Sequence, residues 1–341
     1  MTTMRNTTMN TFATVLSARV LPLGLAFGLV VATAIILPGC RAARIASARQ
    51  ALKQATGEPS GIAEVKQLEY ASPEASLAAL RSAAETMDPV LLIEALGPNW
   101  RGLLSGDPAE RDRQRRAFLA RLDGSTFETV DGGAVLMVGR TDDPDRFPFA
   151  VPLRKHPGGW QWDTDAGIIE VQVRRIGRNE LDTIESLRTI AVAQLAFRDR
   201  DVDGDGQPNF AASLMGSETR KDALHRPIGP VETALIGPAL ASADATDGRT
   251  GATPFHGYLF AMLPMQGAGA AGGAKDFRDA SRRYMGGFAV LATPAEYRVS
   301  GVTCFLMGPD GTVYEKDLGD DTATATAKIT SFDPTGWAKV Q

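Results

Sequence analysis

The chain has 341 residues, 44% of them apolar and 22% charged, and a formal net charge of −4. That is enough material for about two globular units with real cores, and a mildly acidic balance excludes any general attraction for nucleic acid. Two cysteines, Cys40 and Cys304, and three scattered histidines offer no zinc-ligand spacing.

Arg5 and Arg19 precede an uninterrupted apolar run, Val20 to Pro38. Its length suits either a signal peptide or a membrane anchor. It ends in Leu37-Pro38-Gly39-Cys40, which resembles a bacterial lipobox. The resemblance implies a signal peptide over residues 1–39, cleavage before Cys40, and acylation of that cysteine. An uncleaved anchor is the alternative. Either way the bulk of the chain is tethered outside the cytoplasm. No acidic residue follows Cys40, so an outer-membrane location facing the periplasm is expected. Residues 40–70 carry no sustained apolar face and read as a tether.

The first folded unit is expected over residues 71–175. Ser72-Pro73-Glu74 starts one helix and Asp88-Pro89 a second, which Gly97-Pro98 ends; a third runs from about Pro108 to Leu122. Strands follow at Ala134–Val138, Phe147–Leu153 and Gly159–Asp163. Helices followed by a strand meander predict an α+β unit, with helices on one face of a curved antiparallel sheet. The order resembles NTF2-like cone domains, whose opening pattern is similar to Ser72-Pro73-Glu74 and Asp88-Pro89. In such a cone, Trp160, Trp162 and Asp163 are the candidate pocket residues. The two tryptophans share one strand face and would either plug the cone or line a ligand site. His156, in Lys-His-Pro-Gly-Gly, reads as a surface turn residue, and Asp165 is a further local acid.

Residues 176–341 form the second expected unit. Leu181, Ile184, Leu187, Ala191 and Leu195 recur at helical spacing within Glu180–Arg198. The helix runs into Asp201-Val-Asp203-Gly-Asp205-Gly206-Gln207-Pro-Asn209, the front of a calcium loop. Alternate oxygens converge on one ion there, Gln207 offers its carbonyl and Asn209 a ninth-position ligand. The twelfth position holds Ala212 in place of the bidentate glutamate, so Asp199 or Asp222 would have to complete a structural Ca²⁺ site. The alternative is an Asp/Gly turn whose side chains bond their own backbone.

A short helix is expected near Val231–Leu235, then strands at Tyr258–Leu263, Gly286–Thr293 and Val302–Met307, the last joined by Gly308-Pro-Asp-Gly311 to Thr312–Lys316. Gly267 to Gly272 matches a dinucleotide fingerprint in letters only, because no βαβ unit surrounds it. Cys304 lies mid-strand among apolar residues and reads as an inert buried thiol. The helix and meander resemble the globular half of type IV pilins, carried by Ser186–Ile190, Gln194, Gly257–Phe260 and Thr293-Pro294.

The whole span 72–337 resembles a family of bacterial envelope proteins known as domain of unknown function 2950. The carrying stretches are Ile176–Glu180, Asp203–Gly206, Phe255–Tyr258, Met285–Ala289, Pro294–Tyr297 and Val313–Gly319. No activity comes with that resemblance. The expectation is therefore a lipid-anchored envelope protein acting as a non-enzymatic binding or structural module for another envelope protein. A small-ligand enzyme or hydrolase using the cone pocket, and a pilus- or secretion-associated accessory protein, are the alternatives.

Overall fold

The computed structural model describes residues 65–104, 108–201, 206–212 and 254–341. Cys40, Asp203, Asp205, Asp222, His225 and the helix expected at Val231–Leu235 lie outside them. The architecture is α+β, with helices and largely antiparallel sheets.

Helix α1 (Pro73–Thr86) begins where the sequence places it. Ser72 Oγ accepts from Ala75 N at 3.2 Å. Helix α2 (Pro89–Leu96) is capped by Asp88 Oδ1, which accepts from Val90 N at 2.8 Å. Each cap satisfies an amide that the first helical turn leaves without a partner. A 3₁₀ turn over Pro98–Leu103 and helix α3 (Pro108–Arg121) complete the helical layer.

The first sheet contains β1 (Thr126–Val130), β2 (Gly133–Val138), β3 (Phe147–Pro148), β4 (Leu153–His156) and β5 (Gly159–Trp162). Its order is β1-β2-β4-β5, with β3 also paired to β2. The single strand expected over Phe147–Leu153 is thus two, and β1 adds an outer strand that the sequence reading lacked. Strand β1 is mostly exposed, so it shows no buried alternation to read.

The last residues of the span read as tether belong to this unit. Tyr70 and Trp160 exchange backbone hydrogen bonds of 2.8 and 2.7 Å, and Gln67 Nε2 donates to the carbonyls of Ala95 and Trp162. The open edge of β5 needs a backbone partner, and the incoming chain supplies it.

Helix α4 runs unbroken from Thr164 to Arg200, 37 residues. It starts far earlier than the Glu180–Arg198 segment read from periodicity, and the limit drawn between residues 175 and 176 falls inside it. Gln172 Nε2 reaches forward to Val299 O at 2.5 Å, whereas Arg174 Nη1 reaches back to Pro148 O at 2.8 Å. One rod therefore serves both units over the same turn.

The second unit packs β6 (Tyr258–Leu263), β9 (Ala289–Pro294), β10 (Thr303–Met307), β11 (Val313–Asp317) and β13 (Ala338–Lys339) in the order β13-β11-β10-β9-β6, all antiparallel. A small sheet of β7 (Met265–Gln266), β8 (Lys275–Asp276) and β12 (Ser331–Phe332) lies beside it, with β12 parallel to β7. The short helix α5 (Thr322–Ala327) lies between β11 and β12 in the chain. The Gly267–Gly272 stretch connects β7 to β8.

Two separate cores result. Leu80, Ile93, Trp100, Leu136, Leu153 and Trp162 are in the first; Leu187, Ile190, Phe197, Tyr258, Phe288 and Phe305 are in the second. Strand β9 is buried along its whole length, as its near-continuous apolar run requires.

The buried face of α4 differs from the expected one. Ile176, Glu180, Thr183, Leu187, Ile190, Gln194 and Phe197 point inward, while Leu181 and Leu195 are exposed. Glu180 and Gln194 hold inner positions because the segments they face present backbone groups that need partners, while Thr183 bonds the Asn179 carbonyl of its own helix.

Candidate functional site

Asp201 closes α4 in the left-handed conformation (φ 46°), and its Oδ2 accepts from Gly206 N at 3.0 Å. That bond spans five residues, beyond the two-residue reach of an Asx turn, and ties the start of the loop to its own backbone at Gly206. Gln207 is exposed and Asn209 buried. Asp199 pairs with Arg198 at 2.8 Å. Among the described residues no group of three or more His, Cys, Asp or Glu side chains could hold a metal ion.

A different residue fixes the far end of the loop. Gln194 Oε1 accepts from Ala211 N at 2.9 Å and its Nε2 donates to Ala211 O at 3.1 Å. Both residues are fully buried, so the amide substitutes for a strand neighbour. Phe210 then packs against Phe288 with ring centroids 5.2 Å apart and planes tilted by 49°, and the Arg198 guanidinium lies 5.4 Å above the Phe210 ring.

The three candidate pocket residues have separate tasks. Trp162 is 1% exposed, lies against Phe127 and Phe149, and donates from Nε1 to Ser76 O at 3.4 Å. Trp160 is half-buried beneath the Lys155 ammonium. Asp163 caps α4 through Ala166 N at 3.0 Å and pairs with Arg154 at 3.2 Å. Asp165 accepts from Asn99 Nδ2, and His156 is exposed as the last residue of β4, one position before the turn expected to hold it. Cys304 is buried within β10.

Among the described residues, polar groups also converge where the middle of α4 meets the 294–303 connection. Glu180 Oε1 accepts from both Val302 N and Thr303 N at 3.1 Å. Tyr258 Oη donates to Thr303 O at 2.8 Å, so the start of β10 is held from both sides. Asn179 Nδ2 donates to Ser300 O at 2.8 Å. His256 Nδ1 and Asp182 Oδ2 lie 3.3 Å apart. Beyond the turn, Arg298 pairs with Asp320 at 2.8 Å, and Tyr297 Oη donates to Asp317 at 2.9 Å.

Two of the non-glycine residues with positive φ, His256 at 48° and Arg298 at 67°, sit here. Such conformations cost energy and persist only where surrounding contacts over-determine them. Here the contacts are visible: Arg298 N bonds Gly301 O at 2.7 Å, and Ser300 Oγ bonds both backbone groups of Glu296. A side chain at Gly301 would put its Cβ 2.1 Å from Tyr258 Oη, so the close approach requires glycine.

Burial, then the Asp317 carboxylate that accepts its hydrogen bond, push the Tyr297 phenol up to about 12. A general acid or base works best near neutrality, and this group is displaced away from it. What the arrangement does chemically is bind backbone. Four stretches distant in sequence, Ile176–Glu180, Phe255–Tyr258, Pro294–Tyr297 and Val313–Gly319, meet at this junction. Sequence reasoning picked them out as carriers of a family resemblance but gave them no task. The available signal was Glu180, a charged residue at a helix position whose periodicity points inward.

The fold and junction define a two-core α+β protein whose sheets are joined by one shared helix. The model of a family described as protein of unknown function (DUF2950) matches residues 67–340, and the chain belongs to that family. No protein of curated function and no solved structure matches it, so the NTF2-like and pilin-like likenesses remain likenesses of element order.

Proposed function

We propose that this protein is a lipid-anchored component of the bacterial envelope, held through Cys40, whose two-core body is a non-enzymatic binding or structural module facing the periplasm. The observation that carries the reading is Leu37-Pro38-Gly39-Cys40 at the end of the apolar run Val20 to Pro38. Attachment is assigned to the acylated terminus, where more than one acyl chain gives stable anchoring. The junction supports the module reading. Its polar groups, Glu180, Asn179 and Tyr258, are engaged with backbone. Trp162 and Asp163, which an enzyme in the first unit would need, are engaged in a core and a helix cap.

Metabolic labelling with a fatty-acid probe tests the anchor. The wild-type chain is expected to take up label and to fractionate with outer membrane, and Cys40→Ala to do neither. Label retained by Cys40→Ala, or absent from both, removes the proposal. Cross-linking in intact cells tests the module reading, and a chain that repeatedly yields no envelope protein partner counts against it.

A further inference from the structure

Helix α4 is amphipathic on its inner side and also carries an ordered outer face. Arg178, Leu181, Glu185, Arg188, Val192 and Leu195 follow one another at alternating three- and four-residue steps and are all exposed. Leu181 and Val192 are each 59% exposed and Leu195 is 43% exposed. Three large apolar side chains on one helix face form a pattern that scattered surface residues do not. Steps of three and four residues trace the seam along which two helices pack side by side.

The order of residues along the seam selects the partner. Turned antiparallel about a two-fold axis between residues 186 and 187, a second copy places Leu181 opposite Val192, Glu185 opposite Arg188, and Leu195 over the aliphatic stem of Arg178. Every one of the six positions then meets another of the six. A parallel pairing fails, because it sets Glu185 on Glu185 and Arg188 on Arg188, and facing like charges are repulsive. Within one chain Glu185 and Arg188 make only a long contact of 4.0 Å, and both side chains are more than half exposed, so each is available to a neighbour.

We infer that the outer face of α4 is an isologous interface with a second copy of this chain, antiparallel and centred between Glu185 and Arg188. The inference does not depend on the lipid anchor or on the module reading. A two-helix seam is smaller than most stable interfaces, so half-dimerisation is expected in the micromolar range.

The full chain in detergent, followed by sedimentation across that range, tests the pairing. Glu185→Arg and Arg188→Glu should each weaken the dimer at least about tenfold, and the double variant Glu185→Arg/Arg188→Glu should restore it. Leu181→Cys/Val192→Cys provides a second readout. The two positions lie about 16 Å apart along one helix, too far for an intrachain disulfide. A cross-linked dimer beyond that of the wild-type chain is therefore expected, and Leu181→Cys alone should add none. A monomer throughout the range overturns the inference. So does a dimer that ignores both charge reversals, which would use another face. A monomer that melts lower on Leu181→Lys also overturns it, since that face would then be covered from within its own chain.

Discussion

Replacing Gln194 by Leu removes the amide that serves both backbone groups of Ala211 while keeping side-chain bulk. Ala211 is fully buried, so its N–H and C=O are left without partners. Each stranded group costs about 1–3 kcal/mol, less about 1 kcal/mol regained from the added apolar surface. The net loss is about 3 kcal/mol, which for a body of this size lowers the melting temperature by about 6–12 °C. Gln194→Glu sharpens the test. Protonated, the carboxyl group can donate to Ala211 O and accept from Ala211 N as the amide does; ionised, it faces a carbonyl with no proton to give. Its folded pKa is therefore raised, so stability is intact below the unfolded value of about 4.3 and is lost as pH rises through the folded value. Thermal melts of wild type and both variants at pH 4 and pH 7 measure this. A Gln194→Leu melt within about 2 °C of wild type, or a Gln194→Glu deficit independent of pH, would refute the staple.

Glu180→Ala strands the amides of Val302 and Thr303 and is expected to cost about 3 kcal/mol, whereas Glu180→Gln keeps an oxygen for both amides, loses only the charge assistance and should cost about half as much in chemical denaturation. Gly301→Ala drives a Cβ to 2.1 Å from Tyr258 Oη and 2.5 Å from the ring carbon that bears it, and should destabilise the second core in the same assay. Tyr297 ionises late: its contribution is present below the unfolded value of about 10 and is lost as pH rises through about 12, so in an ultraviolet titration Tyr297→Phe should remove one late phenol, leaving those of Tyr70 and Tyr284, which burial also raises. For the acidic loop, titration calorimetry with Ca²⁺ decides between an ion site and a loop closed by its own hydrogen bonds: heat that Asp201→Ala removes favours the ion, and no heat at millimolar ion disposes of the site.

Much of the fold could be read from the chain because its signals are local. Ser72 and Asp88 announce helix starts by cap chemistry, and Gly308 to Gly311 announces the β10–β11 hairpin by turn chemistry. Helix α4 extends beyond its apolar period because the two turns before Glu180 carry Gln172, Arg174, Arg175 and Arg178, which break that period without breaking a helix. Its face was misplaced for a related reason. Periodicity follows apolar residues, whereas the inward positions at Glu180, Thr183 and Gln194 are polar and are satisfied by partners from 17 to 123 residues away, apart from the local bond of Thr183. The junction was invisible for the same cause, since its bonds run from side chains to distant backbone. The two tryptophans of β5 could be placed on one strand face, but which of them would be sealed depends on Phe127 and Phe149, which pack against Trp162.

The unbroken course of α4 from Thr164 to Arg200 also couples the two cores in phase. Adding one residue to its middle would advance everything beyond by about 1.5 Å and turn it through about 100°. Gln172 would then no longer share a helical register with Asn179 and Glu180, and the second sheet would be carried round relative to the first. Even an insertion close to a whole number of turns, which restores the rotation, would part Gln172 from Val299 by about 5.4 Å for each turn while Asn179 stayed on Ser300. The helix between these two side chains therefore has a fixed length as well as a fixed phase.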